Sequence, residues 1–205
     1  MTERLVQDAL FFFATLDPIG TLALFAALTA GATTAERRRM ARRSILYATA
    51  ILIGSVVVGQ FLLSALGVRL LSLQVAGGVI LFLLGLQMLF TGFDKTSIGR
   101  AEEGHDLAVF PLAVPGLAGP GAIMAVIVRT DNTVYSILEQ VATAGVLVVM
   151  LIVTWALLLL AGPILKITGE TGATILVRIL GMLLAALSVE LVLTALGVTG
   201  WIAPL

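Results

Sequence analysis

The sequence predicts an all-α membrane protein: six transmembrane helices in two inverted-topology three-helix repeats, with helices 1 and 4 broken mid-membrane. Three observations carry this expectation. Hydrophobic residues make up 60% of the 205 residues and charged ones 12%, with a mean hydropathy of +1.13. A soluble domain of that size could not cover so much apolar surface. The apolar residues fall into six runs, each close to the ~20 residues that a helix needs to cross the hydrocarbon. Proline and glycine interrupt the first and fourth runs at matching places.

The runs lie at about 9–29, 45–66, 73–93, 107–128, 140–161 and 176–197. The first is broken by Asp17-Pro18-Ile19-Gly20 and the fourth by Gly119-Pro120-Gly121. Pro18 on Pro120 is an offset of 102. The third and sixth runs align at 103: Gly78, Leu81, Leu84 and Thr91 fall on Gly181, Leu184, Leu187 and Thr194, and Gln87 falls on Glu190. Two units of three spans each must point in opposite directions, a build common among secondary transporters. The chain then reads as one membrane domain, 1–205. Repeat 1 covers about 1–93, a cytoplasmic loop about 94–106, and repeat 2 about 107–205.

Charge sets the expected orientation. Arg37, Arg38, Arg39, Arg42, Arg43, Lys95, Arg100, Lys166 and Arg178 group on one side, against Arg4, Arg69 and Arg129 on the other. Nine against three puts the first group in the cytoplasm and both termini outside. The short run 37–43 is read as a topology determinant, and Gly54, Gly59, Gly77 and Gly78 as places of close helix approach.

Composition excludes several classes. Net charge is zero, which gives no field for nucleic acid. There is no cysteine, hence no disulfide or thiolate metal site, and the single histidine, His105, reads as a solvated loop residue. No nucleotide-binding loop and no zinc-protease or serine-hydrolase motif occurs, so neither a cofactor nor enzyme activity is expected.

Each proline break reads as a helix restart. Asp17 is a favoured N-cap and Pro18 a favoured first residue. Gly119 and Pro120 repeat the arrangement without a capping side chain. The open end at Gly119, Pro120, Gly121 and Ala122 offers N–H groups to an anion, such as a solute carboxylate. Asp17, with Gly20 and Thr21 beside it, suits an ammonium. Gln87 and Glu190 complete the candidate binding set. Glu190 and Asp17 are the candidates for a coupling proton or Na+, because an ionisable group at bilayer depth is a functional candidate by default. A secondary transporter of a small polar or zwitterionic solute fits these features. A membrane scaffold or partner subunit and a passive channel are the alternatives, and a homo-oligomer is compatible with each.

"DPIGTLALFAALT" (17–29), "AGGVILFLLGLQML" (76–89), "PLAVPGLAGPGAI" (111–123) and "RILGMLL" (178–184) resemble the MarC family of bacterial and archaeal inner-membrane proteins. The resemblance implies six spans in two inverted halves, kinship with LysE-type exporters and transport of neutral amino acids. Older usage ties the family name to multiple antibiotic resistance. Glu190 departs from the glutamine usual in the family's last span.

Overall fold

The computed structural model describes residues 2–90 and 106–198, and among these every regular element is a helix. The chain runs through α1 (Thr2–Leu16), α2 (Pro18–Leu28), α3 (Thr34–Ala65), α4 (Leu70–Phe90), α5 (Ala108–Leu117), α6 (Pro120–Arg129), α7 (Ile137–Leu159) and α8 (Ala161–Ala195). Among the described residues, five stretches are long and apolar enough to cross a bilayer: Thr2–Leu28, α3, α4, α7 and Thr174–Ala195 within α8. The pair α5 and α6, bent by 51°, makes a sixth when taken as one span. Thr91, Lys95, Arg100 and His105 lie outside the described residues.

Local chemistry explains the boundaries. α3 opens with a capping box in which Thr33 and Glu36 satisfy each other's backbone N–H groups. α7 opens with the same box, Ser136 with Glu139, 103 positions later. α2 and α6 also correspond. Each begins with proline after an N-cap, and each ends on a threonine, Thr29 or Thr130, whose hydroxyl donates to the carbonyl four residues back at 2.7 Å. Arg37 donates to the Thr29 carbonyl at 2.8 and 3.0 Å, closing the C-terminal end of α2. One member of the basic run is therefore a helix cap.

Two expectations need correction. The fourth span is more disrupted than a single break at residue 119. Phe110 and Val114 are extended within α5, because Pro111 and Pro115 supply no N–H to a regular ladder. The polar stretch 162–174, which separates the fifth and sixth apolar runs and reads from the sequence as a connection, is helical instead. α8 runs through it, interrupted only at Gly169, whose φ of 68° is a left-handed conformation.

In lipid, apolar tails compete for the same contacts, so close packing of small residues and polar bonds hold helices together. α4 and α8 run antiparallel and touch backbone to backbone. A Cβ built on Gly85 would lie 2.7 Å from the Gly181 carbonyl oxygen, and one on Gly181 would lie 2.7 Å from that of Gly85. A Cβ on Gly78 would lie 3.1 Å from the Ser188 oxygen. Gly59 similarly makes room for Ile127 and Gly77 for Met124. Gly54 has no such role, since nothing lies within 4 Å of a Cβ there. A central cluster of Phe12, Leu16, Leu52, Leu117, Ala122 and Leu151 joins α1, α3, α5, α6 and α7 around the helix breaks.

Candidate functional site

The two breaks open onto one cavity of about 440 Å³. Thr15, Asp17, Gly20 and Thr21 line it from α1 and α2, and Gly119, Pro120, Gly121 and Ala122 from the start of α6. Gln87 reaches it from α4, and Pro111, Pro115 and Gly116 from α5. Eight residues singled out from the sequence thus meet at one place. Pro18 is buried behind them and does not line the cavity.

Asp17 is held in the left-handed conformation, φ 44° and ψ 64°, and its Oδ1 accepts from the Gly20 N–H at 3.0 Å. Asp and Asn tolerate that region better than other side chains do. Gly20 has no side chain for a reason: a Cβ there would overlap Asp17 Oδ2 and lie 2.7 Å from its Cγ. Among the described residues Asp17 forms no ion pair. Thr21 Oγ1 donates to the Gly116 carbonyl at 3.4 Å and ties α2 to α5.

Across the cavity, Gly119 caps α6 with extended backbone, φ −76° and ψ 168°, and no side-chain bond. A Cβ on Gly119 would lie 2.6 Å from the Pro115 carbonyl oxygen, so the backbone itself excludes a capping side chain. One helix end carries its own carboxylate and the other presents only peptide groups.

Glu190 is not in this cavity. It is exposed on α8 and lines a second cavity of about 910 Å³ with Gln74, Arg129, Asp131, Tyr135 and Thr194. The offset that equates Gln87 with Glu190 explains the separation. Equivalent positions on antiparallel α4 and α8 diverge toward opposite ends of the bundle.

A buried polar network escaped the sequence reading. Asp8 is fully buried on α1. Both Arg129 Nε, at 2.5 Å, and Arg129 Nη2 bond its Oδ1, while Thr143 donates to Oδ2 at 2.7 Å. Arg4 bonds Thr143 at 3.1 Å and Glu139 at 2.9 Å, and stacks on Tyr135 with its guanidinium carbon 3.7 Å from the ring centroid. The i,i+4 spacing of Arg4 and Asp8 and the lone Arg129 after an apolar run were the available signals.

The description MarC family integral membrane protein matches residues 2–201. The chain belongs to the MarC family. A UPF0056 membrane protein of Archaeoglobus fulgidus is 36% identical over 197 residues, covering 91% of this chain and 92% of that protein. One from Methanocaldococcus jannaschii is 32% identical, covering 90% of this chain and 91% of its own length. The inner membrane protein MarC of Escherichia coli O1:K1 is 29% identical, covering 88% of each chain. No solved structure matches. This MarC family chain is therefore a multi-pass membrane protein. The segments that carried the resemblance are largely those that build the first cavity.

Proposed function

We propose that the chain is a secondary transporter of a small zwitterionic solute, most simply neutral amino acids, working by alternating access around the first cavity. One observation carries the reading: both helix breaks face the same cavity with complementary character. Asp17 presents a carboxylate without an ion-pair partner among the described residues. The α6 end at Gly119–Ala122 carries a positive dipole and no capping side chain. A solute ammonium on Asp17 and its carboxylate on the α6 end would match both. A volume of about 440 Å³ suits a small solute.

The recurring caps, capping boxes and α4–α8 contacts support two inverted repeats. Within that reading the end of the bundle bearing Arg37–Arg43 faces the cytoplasm, the termini face outward, and Glu190 or Asp17 couples transport to H+ or Na+.

Solute counterflow into liposomes holding the purified protein tests the proposal. Uptake of a labelled neutral amino acid against excess unlabelled solute inside is expected. Absence of counterflow across a panel of neutral amino acids, with protein that stays monodisperse, would refute it. Conductance without counterflow would make the chain a channel.

A further inference from the structure

We infer that Leu81, Met124 and Leu184 form the closed gate between the two cavities, and that the Asp8–Arg129 ion pair latches it. The inference rests on the transporter reading, but its test needs no solute.

The three gate side chains are 1%, 1% and 4% exposed and pack as one cluster. Its two faces belong to different cavities. Leu81 and Leu184 line the first, with Met88 beside them. Ala14, Val128 and Leu191, packed against the other face, line the second. Met124 lines neither and fills the layer between. The fit is close on both sides: a Cβ on Gly77 would lie 2.7 Å from Met124 Cε, and one on Gly121 would lie 2.8 Å from Leu81 Cγ. A solute passing through this layer would have to displace Met124.

Met124 rides on α6, a ten-residue helix bounded by Gly119 and Thr130. Arg129, its last residue, is bound to buried Asp8 of α1. Moving α6 away from α4 would withdraw Met124 from Gly77 and pull Arg129 from Asp8. A buried carboxylate stripped of its partner normally makes such a step costly. Here Asp8 would not be stripped. Thr143 already donates to its Oδ2, and Arg4 Nε lies 3.9 Å from the same oxygen. That Nε is buried and, among the described residues, has no hydrogen-bond acceptor. It is a spare donor beside the group that Arg129 would leave.

The chain has no cysteine, so single reporters can be placed without background. Leu84→Cys reports on the first cavity and Val134→Cys on the second. An impermeant thiol reagent is added on the side from which Val134→Cys is labelled. Leu84→Cys should be protected from that side in the otherwise unaltered chain. With Met124→Ala, or separately with Asp8→Asn, it should be labelled at least about tenfold faster, the factor that ~1.4 kcal/mol of differential stabilisation gives. Arg129→Gln leaves Asp8 with Thr143 and Arg4 and replaces Asp8→Asn if that variant does not assemble. Equal labelling of Leu84→Cys without any gate mutation would overturn the gate. So would unchanged protection with Met124→Ala. A rate raised by Met124→Ala and untouched by both ion-pair variants would overturn the latch. If counterflow fails while the labelling pattern holds, the transport reading falls and the gate stands.

Discussion

Asp17→Asn separates charge from architecture at the helix break. Asparagine keeps an oxygen that can accept from the Gly20 N–H, caps helices about as well as aspartate, and tolerates the left-handed backbone at φ 44°. Stability should therefore stay within about 0.5 kcal/mol of the parent. What disappears is the negative charge facing the cavity. A hydrogen bond to a charged group contributes roughly 1.5–3 kcal/mol, so solute should bind roughly 10–150-fold more weakly. Asp17→Ala behaves differently. It loses the cap, at roughly 0.5–2 kcal/mol, and places a Cβ-bearing residue without local bonds in the left-handed region, at roughly 1–2 kcal/mol more.

The assay pairs thermal stability in detergent with binding of a panel of neutral amino acids by calorimetry. Asp17→Asn should leave the melting curve in place and weaken binding; Asp17→Ala should lower both. Parent-like affinity in a stable Asp17→Asn protein would remove the Asp17 charge from the site. A large stability loss in Asp17→Asn would show that the charge, and not the cap, holds the break together.

Gly85→Ala should cost about 1–3 kcal/mol by forcing α4 and α8 apart, whereas Gly54→Ala, with open space around it, should be neutral or slightly stabilising; equal melting shifts would contradict the packing. Position 38 as a single cysteine should resist an impermeant reagent in intact cells, and strong labelling there would reverse the orientation. Glu190→Gln should leave solute affinity within about twofold, as expected of an exposed position away from the first cavity. It should alter the pH profile of transport, and an unchanged profile would place coupling elsewhere. Amidating the solute carboxylate should weaken binding if it rests on the α6 end; equal affinity for acid and amide would refute that contact.

Local chemistry was legible and tertiary register was not. Proline after an N-cap residue marks a restart whatever surrounds it, so Asp17-Pro18 and Gly119-Pro120 could be placed from the sequence. The two capping boxes follow an equally local pattern, T-x-x-E and S-x-x-E, but were not among the expectations. The Asp8–Arg129 pair was not. Its partners are 121 positions apart, and their meeting depends on how α1 slides against α6. Gly119 shows a different limit. A bare N-cap suggests that aspartate could replace it, but the Pro115 carbonyl occupies the place of a Cβ. The openness of that helix end is imposed by α5, which sequence periodicity did not describe.

The separation of Gln87 from Glu190 follows from the same offset that first paired them. On antiparallel helices related by exchange of i with i+103, contacts come in swapped pairs. Gly78 meets Ser188 where Gly85 meets Gly181, and each contact is the other with its partners exchanged. The crossing point lies between, at Leu81 and Leu184, which are themselves equivalent and do pack in one cluster. Six residues beyond, each helix has advanced ~9 Å in its own direction, so Gln87 and Glu190 stand on opposite sides of the crossing. Each consequently faces its own cavity, with the apolar gate between them. Within the transporter reading, a protonation change at Glu190 would not reach a solute at Asp17 by direct contact. Within the same reading, the apolar layer of Leu81, Met124 and Leu184 is the packing through which any coupling would be transmitted.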